Sequence, residues 1–188
     1  SFPSVSPIIN AFSGDETLAS EPVDPGLRGF AYRRQPSSGD VRVLALRHKP
    51  SGEQITAVFR RGGDYDRSAL QMINYILRDR RAEAIVPMDV RLVELMADLQ
   101  EGVADGEPID VLSGYRTPES NRRLRRRNRS AARNSLHVRA MAVDLRIENC
   151  SPREIRDWGV AQSRGGVGFY PRRGFCHLDV GDVRYWRR

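Results

Sequence analysis

The chain has 188 residues, a formal net charge of +7, 39% hydrophobic residues and a mean hydropathy of −0.54. No stretch approaches the roughly 20 apolar residues of a membrane-crossing helix, and Cys150 and Cys176 are too few for a disulfide framework. These values describe one domain, or one domain and a tail, and the arginine excess (Lys49 is the only lysine) suits anionic partners. The two cysteines fit one bridge or two buried free thiols equally well. The start at Ser1, Phe2 and Pro3 reads as a mature or trimmed end with no basic, apolar leader.

Residues 1–38 read as an N-terminal extension, broken by Pro3, Pro7, Pro22, Pro25 and Pro36 and lacking periodicity. Residues 39–188 form the compact domain. Segments 41–46 and 54–59 are expected to pair as a hairpin around Pro50, Ser51 and Gly52. Leu70, Ile73, Tyr75, Ile76 and Leu77 recur at helical spacing within 67–80, and Val90, Val93, Met96 and Leu99 do so within 87–100. Residues 109–112 make a short buried strand. Thr117 followed by Pro118 starts a third helix, since Thr suits the N-cap and Pro the first turn. Residues 142–147 form a strand, and Ser151, Pro152 and Glu154 make a capping box that opens a helix to about residue 162. Strands are expected at 166–170, 175–180 and 183–186, the last two joined by a two-residue turn at Gly181 and Asp182. Helices followed by a terminal antiparallel sheet indicate an α+β fold.

Two of the three histidines, His137 and His177, stand in segments that also carry Asp144. Two imidazoles and a carboxylate are the three-ligand set of a catalytic zinc site, whose fourth position is left for water or substrate. Asp144 lies seven residues after His137, within reach of a folded-back loop, and an antiparallel neighbour of 142–147 would bring His177 opposite Asp144. A lone histidine is more often a core or surface residue than a ligand, so spacing leaves both readings open.

The surrounding motifs go further. Ser135-x-His137-x6-Asp144 followed by His177 resembles the signature of the D-alanyl-D-alanine zinc metallopeptidases, which share a fold with the Hedgehog signalling domain. Residues 113–121, 124–127, 135–137, 165–171 and 175–181 are similar to the murein endopeptidase branch of that group, over roughly residues 41–186. The resemblance implies helices packed on a central, mostly antiparallel sheet. It also implies Zn2+ held by His137, Asp144 and His177, and hydrolysis of peptide crosslinks between peptidoglycan stem peptides. Such enzymes are exported, which implies the periplasm, and a wall hydrolase is expected to be held in check by a regulatory protein partner, with residues 1–38 as a candidate contact.

Arg116 matches a position that steadies the carbonyl oxygen or a substrate carboxylate; its fixed charge and forked donors suit either task, as they would a structural ion pair. Ser135 is a candidate to bind substrate or to cap its loop, and Tyr115 to line the substrate cleft or to pack in the core. Two departures stand out. Relatives carry glycine where this chain has Ala140, and many enzymes of the wider group place a glutamate base where this chain has Gly174. Asp179 points to the same side of its strand as His177, so it is either the base or the partner that orients a histidine ligand. Related chemistries remain open: a D,D-carboxypeptidase or dipeptidase, and an inactive wall-binding domain. The arginine run at 122–129 lacks any accompanying nucleic-acid motif, so no nucleic-acid partner is expected; it reads as a solvated helix face or, beside a peptidase cleft, as a stretch that draws in the carboxylates of peptidoglycan peptides.

Overall fold

A computed structural model describes residues 41–188 apart from 105 and 129–131. The expected extension at 1–38, and the regulatory contact assigned to it, lie outside the described residues. Among those residues four helices accompany one eight-stranded sheet. The fold is α+β with a mostly antiparallel sheet, as the sequence indicates. Among the described residues no helix is long and apolar enough to cross a membrane.

Strands β1 (Val41–His48) and β2 (Glu53–Arg61) form the first hairpin, turned through a 3-10 segment that closes on Gly52 at φ 72°. A two-residue strand, β3 (Asp64–Tyr65), extends β2 and leads into helix α1 (Arg67–Ile76), whose N-cap Asp66 accepts a hydrogen bond from the Ala69 amide. Helix α2 (Val90–Val103) is capped by Asp89. Strand β4 (Ile109–Ser113) precedes helix α3 (Pro118–Arg127), whose N-cap is Thr117. Strand β5 (Ala142–Ile147), helix α4 (Pro152–Gln162) and strands β6 (Gly166–Tyr170), β7 (Phe175–Asp179) and β8 (Arg184–Arg187) complete the domain.

The sheet order is β3-β2-β1-β4-β5-β7-β6-β8, with β1–β4 and β6–β8 the parallel pairs. Helix α1 lies on β1 and β2, α2 on β1 and α4, and α4 on β5, β6 and β7. Apolar side chains from these elements, among them Leu44, Phe59, Ile73, Met96, Leu145 and Ile155, are fully buried. Arg42 is buried as well, and bridges β1 to α2 through Glu94, Asp98 and Glu101.

Three boundaries differ from the sequence reading, each for a local reason. Helix α1 ends at Ile76, four residues early, because the Leu77 carbonyl accepts the Tyr115 amide (2.7 Å) and Asp79 turns away to receive Thr117. Helix α2 starts at Val90, since Asp89 caps it by accepting the Arg91 amide (2.9 Å). The expected hairpin at Gly181 and Asp182 does not form: β8 pairs in parallel with β6, and the Gly181 amide is held by the Asp179 carboxylate (3.0 Å). Gly168 permits this crossover, for a Cβ there would sit 2.5 Å from the Trp186 indole.

The capping box of α4 is complete, with Ser151 accepting from the Glu154 amide and Glu154 accepting from the Ser151 amide. Replacing Ser151 by alanine is expected to cost about 1 kcal/mol and to lower the thermal midpoint by about 2–4 °C, read by calorimetry; no shift would show that the cap contributes nothing.

Candidate metal centre

The site is built where β5 meets β7. In that antiparallel pair Asp144 is the direct partner of His177, so both side chains leave the same face at the same level. His137 arrives from the 3-10 turn Leu136–Arg139 just before β5. That turn is pinned by its own backbone: the Arg116 amide donates to the His137 carbonyl (3.1 Å) and the Met141 amide to the Leu136 carbonyl (3.0 Å). Ala140 closes it in the left-handed region at φ 56°, a conformation costing alanine about 1–2 kcal/mol and glycine little.

Three donor atoms converge. His137 Nε2 lies 3.3 Å from Asp144 Oδ1 and 3.2 Å from His177 Nδ1, and His177 Nδ1 lies 2.9 Å from the same Asp144 oxygen. Donors placed tetrahedrally around zinc at about 2.0–2.1 Å stand roughly 3.3–3.4 Å apart, so the spacing fits an ion with slight expansion. The remaining ring nitrogens are engaged. His137 Nδ1–H donates to the Gly114 carbonyl (2.7 Å), and His177 Nε2–H to Asp179 Oδ2 (2.8 Å). These outer bonds fix the tautomers and aim both lone pairs at the common point. Gly114 can come so close because it lacks a side chain; a Cβ there would meet the Leu77 carbonyl oxygen at 2.4 Å.

Burial and charge act against each other here. Burial alone would push the Asp144 carboxyl up, but His137 and His177 hold it well below the usual carboxylate range. Burial lowers His137 more than Asp144 raises it, leaving a net downward shift. For His177 burial is outweighed by the hydrogen bonds to Asp144 and Asp179, and its pKa rises to about 9. Asp179 is raised by burial yet held low overall by His177 and Arg184.

Asp179 stands behind His177, on the side away from the donor cluster. Its oxygens accept from the Gly166 and Gly181 amides (both 3.0 Å), from both Arg184 nitrogens (3.0 and 2.6 Å) and from His177. The same-side geometry read from the strand does bring Asp179 to His177, but against its far nitrogen. Gly174, where the wider group has glutamate, closes a 3-10 turn at φ 67°, a conformation that suits glycine.

The cluster faces a cavity of about 820 Å3. Arg116 lies on its wall, 3.6 Å from Asp144 Oδ2, tethered to Asn121 Oδ1 (3.2 Å) and Ser113 Oγ (3.1 Å). Burial lowers its pKa. Ser135 and Tyr115 also line the cavity, Ser135 without a side-chain capping bond in its turn. His48 lines it too, with Nδ1 2.8 Å from Ser51 Oγ.

Sequence reasoning missed three residues. Arg184 clamps Asp179, Trp186 tilts over His177 at 5.2 Å between ring centres, and Tyr170 accepts the Trp186 indole N–H (3.0 Å). All depend on the β8 crossover, for which the sequence carries no periodic signal. Cys150 and Cys176 are free and buried, and neither belongs to the cluster.

A family model described as peptidoglycan L,D-endopeptidase MepK (Peptidase_M15_2) matches residues 36–186. Peptidoglycan L,D-endopeptidase MepK of Escherichia coli K12 is 37% identical over 145 residues, covering 77% of this chain and 80% of the relative. The Shigella flexneri protein of that name gives the same figures. Probable peptidoglycan L,D-endopeptidase MepK of Haemophilus influenzae is 32% identical over 153 residues, covering 80% and 82%. No solved structure matches the chain.

Two outcomes follow from the ring environments. Metal ligands must be deprotonated, and His177 keeps its proton to about pH 9. Titrating metal-free protein with Zn2+ at neutral pH should therefore expel about one proton per ion, measured by calorimetry in buffers of different ionisation enthalpy. Apparent affinity should climb with pH and level off near 9. Binding without proton release would contradict the assignment. Asp179→Asn should weaken Zn2+ binding about 10–100-fold while the far-ultraviolet spectrum is kept; unchanged affinity would remove Asp179 from the orienting role.

Proposed function

The chain belongs to the Peptidase_M15_2 family of MepK peptidoglycan L,D-endopeptidases, and we propose that it is a zinc enzyme that hydrolyses crosslinks joining an L centre to a D centre between stem peptides. The observation that carries this reading is the convergence of one carboxylate and two oriented imidazoles at the wall of a large cavity. His137, Asp144 and His177 would hold the ion. When bound, zinc polarises a scissile carbonyl and brings the pKa of a bound water to about 7.

The protein's own contributions are positional. The Gly114 carbonyl and the Asp179 carboxylate fix the two histidine tautomers, which keeps the lone pairs aimed inward. Asp179 engages the His177 nitrogen that faces away from the donor cluster, so we assign it the task of orienting that ring rather than proton transfer to a reacting group. Arg116, charged at every physiological pH, stands beside Asp144 where a carbonyl oxygen or a substrate carboxylate would lie. Ser135 and Tyr115 line the same wall and supply polar contacts to the peptide.

A cavity of about 820 Å3 lies toward the upper end of the roughly 300–1,000 Å3 range of ligand pockets. That size suits a branched, crosslinked peptide better than a terminal dipeptide, which favours the endopeptidase over a carboxypeptidase. An enzyme of the wall would work outside the cytoplasm, and the periplasm is the compartment we assign to it.

Digestion of purified muropeptide dimers tests this. Zinc-loaded protein should convert 3-3-linked dimers to monomers, a chelator should stop the reaction and added zinc restore it, and His137→Ala should carry no stoichiometric metal and cut at background rate. Persistence of 3-3 dimers with metal-loaded protein, or mere trimming of monomers, would overturn the reading.

A further inference from the structure

The wall chemistry of the cavity is unbalanced. Nine arginines line it, against two carboxylates, Asp79 and Asp144. Neither carboxylate reaches the outer arginines. Asp79 accepts from the Thr117 amide (2.8 Å) and hydroxyl (2.9 Å) and from the Arg81 amide (3.0 Å), and Asp144 is shared between the two histidines and Arg116. Some of the arginines are satisfied outside the cavity: Arg78 by Glu53 and Glu83, Arg184 by Asp179.

Four are not. Arg81, the α3 residues Arg123 and Arg127, and Arg173 of the turn after β6 line the cavity, are exposed, and form no ion pair with any described residue. Arg81 is held at its amide by Asp79, which leaves the other three as the group with no acidic partner among the described residues. Arg123 and Arg127 stand four residues apart on one helix face, where like charges repel by a few tenths of a kcal/mol. Helix α3 buries only Asn121, so a packing role does not explain its arginines. An anionic ligand in the cavity would remove the repulsion, and guanidinium groups bind carboxylates in pairs of parallel hydrogen bonds.

We propose that Arg123, Arg127 and Arg173 form a carboxylate-reading subsite beside the metal centre, so that the substrate is a crosslinked peptide whose carboxylates flanking the scissile bond are ionised. Peptides carrying primary amides at those positions are disfavoured. This deepens the endopeptidase reading and rests on it. The subsite acts in binding: it holds the peptide in the cavity, and the groups around the metal act on the scissile bond.

The test uses zinc-loaded full-length protein and a matched pair of synthetic crosslinked peptides, one with free carboxylates and one with the same groups as primary amides. In the wild type, amidation should raise KM about tenfold with kcat nearly constant. In the double variant Arg123→Gln/Arg127→Gln, and in Arg173→Gln, the acid peptide's KM should rise and the acid-to-amide preference should fall toward one, with zinc content kept at one equivalent. Arg61→Gln, an exposed arginine on β2 outside the cavity, controls for net charge and should retain the wild-type preference. Equal KM for both peptides in the wild type, or loss of preference in Arg61→Gln as well, would overturn the subsite. If the wild type cuts neither peptide, the endopeptidase reading fails. The subsite is then decided by fluorescence anisotropy of the labelled acid and amide peptides on zinc-loaded protein: tighter binding of the acid upholds it and equal binding overturns it.

Discussion

The register between β5 and β7 governs everything else at this site. With Asp144 opposite His177, a carboxylate and an imidazole leave the sheet together at one level. A slip of one residue would send both to opposite faces. The register is secured on both sides, since β4 pairs with β5 and β6 with β7, so neither strand is an edge. A shift in pairing between Val111 and Ser113 brings Ser113 beside Asp144 and lets the chain leave toward Gly114. From there the Gly114 carbonyl reaches back to His137 and completes the cluster.

Charge is balanced behind the cluster as well, where Asp179 joins His177 to Arg184. A buried carboxylate such as Asp179 would cost several kcal/mol if it were left alone. Here it is offset by two backbone amides, two guanidinium nitrogens and an imidazole. Close glycines make that arrangement fit: a Cβ on Gly166 would lie 2.5 Å from an Asp179 oxygen. The final strand therefore has a purpose beyond sheet formation. By running parallel to β6 it delivers Arg184 to Asp179 and Trp186 to His177.

The sequence disclosed these features unevenly. The motifs around His137, Asp144 and His177 made that set legible through their resemblance to a metallopeptidase signature, where spacing alone left a core role open, and caps made the starts of α3 and α4 legible through Thr117 and Ser151. Strand alternation even predicted that Asp179 and His177 share a side. Which ring nitrogen faces Asp179 is set by a side-chain rotation, which no spacing encodes, so base and orienting partner looked alike. The end of α1 was hidden because its helical periodicity continues past Ile76, while a long-range bond from Tyr115 to Leu77 stops it. Gly181 and Asp182 have the composition of a tight hairpin, and the competing attraction of the Asp179 carboxylate for the Gly181 amide and Arg184 redirects the chain. The strained turn at Ala140 was visible as a departure from relatives and is present at φ 56°.

His137, Asp144 and His177 would together hold the zinc ion of the proposed enzyme, and X-ray absorption at the zinc edge of the loaded protein reads their coordination. The expected spectrum has a four-coordinate shell of nitrogen and oxygen at about 2.0–2.1 Å, with the multiple-scattering pattern of two imidazoles, reduced to one in His177→Ala. A sulfur shell near 2.3 Å, pointing to Cys150 or Cys176, or a spectrum unchanged by that substitution, would contradict it.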